Sequence, residues 1–396
     1  RRQRQMCIRD RLQVIAAIFI VIFFIPYTAS GFAACGKLFS SLFGVKYLTA
    51  MIISAIVIVA YTTLGGFLAA STTDFIQSII MSVALIVVLI FGVETAGGIG
   101  AVIHNASELP GYLSMTLSYD VNTGKAAPYS ALTIVSTAAW GLGYFGMPHI
   151  LLRFMAIEDE KKLKLSRRVA TIWVVISLFV AVFIGVIGYT MSKVGALEML
   201  TGSNSETIIV KISALLSQHG VIFALLAGVI LAGILASTMS TSDSQLLAAS
   251  SAVSSDILGA FRKDSSNKNG SMAAARITLL VISVVAAFIA RNPDSSVFAI
   301  VSFAWAGFGA AFGPVVLFSL FWKRTNKWGA LAGMVCGGSM VFIWKYLIRP
   351  LGGIWNIYEL LPAFLIACAA IVIVSLLTPK PSKEIEEEFD RVAQMK

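Results

Sequence analysis

The sequence predicts an all-α membrane protein that crosses the bilayer many times, and three observations carry this prediction. Of the 396 residues, 58% are hydrophobic and 13% are charged, with a mean hydropathy of +0.86. The apolar residues form blocks long enough to cross about 30 Å of hydrocarbon at roughly 1.5 Å per helical residue. The alternating segments of a membrane β-barrel do not occur. Because lipid offers the backbone no hydrogen-bond partner, these blocks are expected to be helices.

Ten spans are predicted within one transmembrane domain. This domain covers residues 12–379. It follows an irregular cytoplasmic N-terminal segment at 1–11 and precedes a cytoplasmic tail at 380–396. The spans are residues 12–36, 46–70, 75–97, 129–154, 169–191, 219–245, 272–290, 296–322, 328–348 and 354–377.

The basic residues predict the orientation of these spans. Their clusters all fall on one side of an alternating arrangement: at 1–11, 161–168, 262–268, 323–327 and 380–383. The positive-inside rule then places both termini in the cytoplasm, in a multi-pass protein of the plasma (inner) membrane. The net charge of +10 therefore reflects topology and predicts no nucleic-acid partner.

The fourth predicted span contains a helix-breaking sequence, WGLGYFGMPHILLRF, at 140–154. Pro148 cannot donate a backbone hydrogen bond, and the three preceding glycines lower the cost of leaving helical geometry. Broken helices at membrane depth mark substrate sites in secondary transporters, although a kinked helix with small residues for close packing is an equal alternative. In the eighth span, Gly313 and Pro314 favour close packing or a hinge over contact with a ligand.

A line of hydroxyl groups occupies the sixth predicted span. Ser237, Ser240, Thr241 and Ser244 lie at i, i+3, i+4 and i+7, on one helix face. Na⁺ is a hard cation that requires oxygen ligands, and such a face offers several of them together. The alternative is that the hydroxyls bond to their own helix or join neighbouring helices.

Two carboxylates accompany this face. Asp243 lies in the interior of the same span, where an ionised group is costly and usually faces an ion or water path. Asp74 lies near the predicted cytoplasmic end of the third span, and it is expected to cap that helix, to line an ion exit path, or both.

No constellation of catalytic residues is apparent, so the sequence predicts a protein that is not an enzyme. The three histidines are far apart, the four cysteines lack metal-ligand spacing, and no phosphate-binding Walker loop occurs. Transport driven by a gradient, or passive transport, is the function that remains.

Four segments together resemble the sodium/solute symporter family: GGFLAASTTDFIQ, WGLGYFGMPHILLRFMAI, MSTSDSQLLAASSAVSSDI and VSFAWAGFGAAFGPVVLFSLFWKR. The resemblance covers nearly the whole chain, from about Leu12 to Pro379. It implies Na⁺-coupled import of proline, or of a closely related small solute, by alternating access, with Na⁺ as coupling ion and no other cofactor.

The resemblance also implies an inverted-repeat fold of five plus five helices. Residues 129–322 would form the complete second repeat, 12–97 the last three helices of the first, and 328–377 two C-terminal helices. Related proteins have thirteen spans, so we expect the first three to be missing here. A chain without them is expected to bind Na⁺ weakly or not at all.

Individual residues are carried over from the same resemblance. The implied Na⁺ ligands are the Ser237 carbonyl and the Ser240 and Thr241 hydroxyls. A second ion, present in some members, would lie between Asp74 and the pair Asp243 and Ser244. The implied substrate-binding residues are Tyr27, Trp140, Gly143, Tyr144 and Pro148.

Three departures from the family pattern leave alternatives open. Met147 stands where proline transporters usually have Gln, Thr72 replaces a Trp, and Asp243-Ser244 replaces Ser-Cys. Because Met147 lies beside Pro148 in the broken helix, the substrate is open, and pantothenate, sialic acid or a sugar are alternatives. Coupling to protons or exchange is also compatible with the fold. From a different class, the chain could be the membrane sensor of a symporter-like kinase.

Overall fold

The computed structural model describes residues 2–121, 123–257 and 268–394. It is mostly helical, as predicted. The helices are α1 (Arg2–Phe43), α2 (Tyr47–Thr95), α3 (Ile99–Ser107), α4 (Ala131–Ala138), α5 (Pro148–Met155), α6 (Leu163–Lys193), α7 (Ile208–Ser217), α8 (Val221–Ser251), α9 (Lys268–Ile289), α10 (Val297–Phe321), α11 (Lys327–Ile343), α12 (Leu360–Leu377) and α13 (Lys383–Gln394).

Eight helical segments are long and apolar enough to cross a membrane, within the described part of the chain. They are Leu12–Phe43, Tyr47–Leu64, Ser71–Thr95, Leu163–Lys193, Val221–Ile257, Val297–Phe321, Lys327–Leu351 and Leu360–Leu377. The fourth predicted span is divided between α4 and α5, and the seventh corresponds to a shorter apolar helix, Ala273–Ile289. The structure therefore supports a polytopic helical fold, while the count of ten stays a prediction.

The second and third predicted spans are both contained in α2. The Tyr61 hydroxyl lies 2.6 Å from the Thr73 hydroxyl. In a straight helix, residues twelve positions apart would be separated by about 18 Å. Helix α2 is therefore bent between these residues, which brings Tyr61 towards Asp74.

Among the described residues, one hydrophobic core cluster is centred on α1 and α10, and a second lies between α2, α6, α7 and α8. Phe23, Phe24 and Phe32 of α1 are fully buried, as is Phe308 of α10. In the central part of α10, the small residues between Ala304 and Pro314 allow neighbouring backbones to approach closely. This confirms the packing role expected for the eighth span and places α10 against the broken helix.

The long connection between the third and fourth spans is more ordered than a simple loop. It contains α3 and a two-stranded antiparallel hairpin, in which β1 (Leu117–Asp120) pairs with β2 (Lys125–Pro128). Glu108 at the end of α3 forms an ion pair with Lys193 of α6. This contact fixes the connection to the predicted outer end of the bundle.

Candidate ion and solute site

The predicted helix break is present. Ser130 caps the start of α4, and the chain then tightens into a 3₁₀ helix over Ala139–Gly146. Met147 is extended, with φ −81° and ψ 108°, and Pro148 is the first residue of α5. Because Pro lacks an N–H and has a fixed φ, it ends one helix and is well suited to start the next.

Two of the three glycines in the broken helix, Gly143 and Gly146, serve close packing, the alternative that the sequence left open. A Cβ atom on Gly143 would collide with the Trp305 indole, and one on Gly146 would collide with the Phe308 carbonyl. The broken helix therefore lies directly on the backbone of α10. The break and the tight packing are two properties of the same segment.

Three aromatic side chains pack against Trp140 and Tyr144 in the outer half of this segment. Trp140 stacks on Trp305 at a ring-centroid distance of 5.5 Å, on Phe298 at 5.4 Å and on Tyr358 at 5.8 Å. Tyr144 meets the Trp305 ring edge to face at 4.8 Å. The structure thus connects two predicted substrate residues, Trp140 and Tyr144, through a third aromatic residue.

Tyr27 lies on the other side of the break. Its side chain on α1 is 8% exposed, and its ring centroid is 6.0 Å from that of His149, the neighbour of Pro148. The predicted substrate residues are therefore distributed along the broken helix, with Trp140 on its outer half and Tyr27 beside the start of α5.

The predicted Na⁺ ligands come together on α8. The Ser240 hydroxyl lies 3.1 Å and the Thr241 hydroxyl 3.0 Å from the carbonyl oxygen of Ser237. The Ser237 side chain instead donates to the carbonyl of Ile234, at 2.8 Å. The Ser240 and Thr241 hydroxyls bond to their own helix, as in a purely structural role. Together with the Ser237 carbonyl they also group three oxygens within one turn, as a Na⁺ site requires. The geometry therefore fits both the structural and the ion-binding interpretation.

The two carboxylates have different partners below this group. Asp243 is fully buried and accepts a hydrogen bond from the Tyr61 hydroxyl at 2.9 Å. Asp74 forms an ion pair with Arg153, whose guanidinium also donates to the Ser244 hydroxyl at 2.9 Å. Asp74 lies inside α2 rather than at a helix start, so its contact with Arg153 replaces the expected capping role.

A cavity of about 580 Å³ opens beside these carboxylates, on the side that the basic loops predict to be cytoplasmic. Its volume is typical of a small-molecule site. Residues from α2, α5, α8 and α9 line it, among them Ser71, His149, Arg153, Ser244 and Ala275.

The opposite side is held together by polar contacts at the ends of the membrane spans, made by Glu206 in the loop before α7. Glu206 forms an ion pair with Lys37 at 2.6 Å and accepts a hydrogen bond from Ser296 at 2.9 Å. Burial would raise the pKa of Glu206, but the Lys37 ammonium, the Ser296 hydroxyl and the Val297 N–H together lower it below its ordinary value of 4.5. Glu206 thereby joins the loop before α7 to α1 and α10.

The sequence matches the model of the sodium:solute symporter family over residues 7–337. The chain belongs to this family. It is 38% identical over 372 residues to the osmoregulated proline transporter OpuE of Bacillus subtilis, covering 94% of this chain and 72% of the relative. It is also 38% identical to a sodium/proline symporter of Salmonella typhimurium and 39% identical to one of Haemophilus influenzae, covering 96% of this chain in each case and 72% and 74% of those proteins.

The symporter fold is supported independently by a solved structure. A Na⁺-coupled sialic acid symporter in a substrate-bound, outward-open state superimposes with a TM-score of 0.72. The match covers 95% of this chain and 76% of that chain at 17% sequence identity, so it bears on the fold alone. Family and fold together identify a membrane transporter rather than an enzyme.

Sequence reasoning missed four residues that the structure places in this candidate site: Tyr61, Arg153, Trp305 and Tyr358. Arg153 carries only a weak signal, because it lies at the predicted cytoplasmic end of the fourth span, where basic residues are common. Trp305 stands in a run of small residues, which suggests a close neighbour but does not identify it. The sequence does not indicate a role in the site for Tyr61 or Tyr358. Tyr61 meets Asp243, and Tyr358 meets Trp140, only in the folded protein.

Proposed function

We propose that this chain imports proline, or a closely related small solute, together with Na⁺ by alternating access. The similarity to proline transporters over nearly the whole chain carries this proposal. The aromatic surface around Trp140 and Tyr144 is of the kind that suits a pyrrolidine ring.

Na⁺ binds, in this proposal, to the Ser237 carbonyl and to the hydroxyls of Ser240 and Thr241. The grouping of these oxygens within about 3 Å supports this assignment. A second Na⁺ position is formed by Asp74, Asp243 and Ser244. It lies between the three α8 oxygens and the cavity on the predicted cytoplasmic side. The solute contacts Tyr27, Trp140, Gly143, Tyr144 and Pro148.

The proposed arrangement in the membrane places both termini in the cytoplasm. Residues 129–322 form the second repeat, 12–97 belong to the first, and 328–377 are additional C-terminal helices. The alternation of the basic loops supports this orientation. Solute and ion would then leave through the cavity lined by His149 and Arg153.

The energetics of the proposed coupling are sufficient for accumulation. One Na⁺ moving down about 100 mV releases roughly 2.3 kcal/mol. A tenfold Na⁺ gradient adds about 1.4 kcal/mol, so together they support an accumulation of roughly several hundred-fold. Because binding linkage is reciprocal, Na⁺ is expected to raise the affinity for the solute.

Counterflow of labelled proline tests this function. Full-length protein in proteoliposomes is expected to exchange proline in Na⁺ buffer and to lose this exchange when choline replaces Na⁺. Proline counterflow that is equally fast in choline would contradict Na⁺ coupling. Competition by unlabelled solutes tests the substrate: pantothenate, sialic acid or a sugar that displaces proline at lower concentration would identify that compound as the preferred solute.

A further inference from the structure

A second large cavity lies where the end of α10, the start of α11 and the tail helix α13 meet. Its volume is about 690 Å³, and it shares no lining residue with the cavity beside Arg153. Three lysines and three aromatic side chains line it together: Lys323, Lys327, Lys380, Trp322, Trp328 and Phe389. One space therefore combines positive charge with apolar surface.

This cavity lies at the boundary of the membrane spans. Trp322 directly follows the span Val297–Phe321, and Lys327 is the first residue of the span Lys327–Leu351. The basic loops predict this side to be cytoplasmic. Because tryptophan rings are enriched at the level of the lipid headgroups, the opening is expected to lie at headgroup depth.

The positive charges of the cavity exceed the carboxylates that pair with them. Lys323 forms an ion pair of 2.5 Å with Asp390 of α13. Lys327 and Lys380 form no ion pair among the described residues, and the Lys327 ammonium lies 5.9 Å from the centroid of the Trp328 ring. Two cations in one cavity are therefore left to bind an anion from outside the chain.

A phosphate that carries acyl chains matches both parts of this lining. Lysine ammonium groups bind phosphate as point charges. Acyl chains would cover Trp328 and Phe389, which a free anion would leave in contact with water. The cytoplasmic leaflet also carries anionic lipids, and basic pockets between helices on that side suit their headgroups.

The tail helix supplies a competitor for the same lysines. Five of the twelve residues of α13 are acidic, and of these Asp390 pairs with Lys323. Both side chains of this pair are about half exposed. Exposed ion pairs contribute little to stability, so a phosphate with a stronger charge can take the place of Asp390.

We propose that this cavity binds an anionic phospholipid, whose phosphate contacts Lys327 and Lys380 and replaces Asp390 as the partner of Lys323. The acyl chains lie against the aromatic residues of the cavity. Binding releases the charged contact between α13 and the end of α10. This inference uses the proposed orientation in the membrane and does not depend on the transported solute or ion.

Lipid binding to purified full-length protein tests the proposal. Native mass spectrometry of the detergent-solubilised protein counts bound palmitoyl-oleoyl-phosphatidylglycerol and, separately, the matching phosphatidylcholine. We expect the phosphatidylglycerol to bind at least tenfold more tightly, because the choline cation opposes the lysines. Lys327→Gln/Lys380→Gln is expected to weaken its binding roughly 25-fold, at about fivefold for each lysine. Asp390→Asn is expected to strengthen it severalfold, because Lys323 is released.

Lys161→Gln/Lys164→Gln is the matched control, since it removes two charges from another basic loop on the same predicted side. It is expected to change phosphatidylglycerol binding less than twofold. Equal losses in the two double variants would reduce the effect to general charge attraction and overturn the site. Equal binding of the two lipids would overturn it as well.

Three further results decide the remaining points. Displacement of phosphatidylglycerol by millimolar inorganic phosphate would assign the cavity to free phosphate and overturn the lipid. Unchanged affinity in Asp390→Asn would overturn the exchange with the tail helix. Lys327→Arg/Lys380→Arg keeps both charges and is expected to retain binding. Should Lys327→Gln/Lys380→Gln not be monodisperse, Lys380→Gln alone, which lies outside the helices, is expected to lose about fivefold, and an unchanged affinity would overturn the site.

Discussion

The Trp305 indole N–H donates a hydrogen bond of 3.0 Å to the carbonyl oxygen of Trp140, and the two rings stack on each other. This pair joins the broken helix to α10 at the position where the 3₁₀ segment has left regular helical hydrogen bonding. The hydrogen bond thereby satisfies the buried indole N–H of Trp305 with a backbone carbonyl of the broken helix. The contact fixes Trp140 in the proposed solute site.

Gly143→Ala is expected to disrupt this contact, because the added methyl group meets the Trp305 ring. We expect a lower thermal unfolding temperature and strongly reduced proline uptake. Gly141→Ala is the matched control, since a Cβ atom at Gly141 meets nothing within 4 Å. Equal effects of the two substitutions on unfolding temperature and uptake would show that the packing against Trp305 is unimportant.

Ser240→Ala and Thr241→Ala are each expected to raise the half-saturating Na⁺ concentration for uptake. A lost oxygen contact to a charged group costs about 1.5–3 kcal/mol, or roughly ten- to hundredfold in affinity. Ser237→Ala is expected to change it less than about twofold, because the proposed ligand is the carbonyl and the side chain only contacts Ile234. A reversed order among these variants would contradict the assigned ligands.

Tyr358→Ala is expected to raise the KM for proline by roughly two- to tenfold, because aromatic stacking contributes about 0.5–1.5 kcal/mol. The Na⁺ dependence should change little, since Tyr358 contacts Trp140 and not the hydroxyl group of α8. Tyr358→Phe retains the ring and loses only the hydrogen bond of 2.6 Å to Ser302. It is expected to keep most of the affinity; an unchanged KM in Tyr358→Ala would argue against a role for the stack.

The contact between Lys37 and Glu206 is expected to weaken in acid. The pKa of Glu206 is lowered in the folded protein, so its contribution to stability is present above its ordinary value of 4.5 and is lost as the pH falls through the folded value. The difference in unfolding temperature between wild type and Glu206→Gln should be constant from about pH 7 to 5 and shrink below about 4.5. A pH-independent difference would remove Glu206 as its source.

Much of the site was accessible from local sequence. The order Gly-x-Gly before Met147-Pro148 predicts a broken helix, because glycine permits and proline enforces a departure from helical geometry. The spacing of Ser237, Ser240 and Thr241 predicts a shared face, because helical periodicity is a property of the chain itself. Both predictions are confirmed by the structure, whereas the Na⁺ and solute roles remain proposals.

The sequence by itself determined the membrane character, the helical class, the helix break and the line of hydroxyls, since each follows from hydrophobicity or spacing along one segment. The tertiary structure decided which side chains meet across segments: Arg153 with Asp74 and Ser244, Tyr61 with Asp243, and Tyr358 with Trp140. These pairs are far apart in the chain, and their contacts depend on how whole helices pack. The physical reason is that buried polar and aromatic groups need partners, and only the packed bundle determines which partners are within reach.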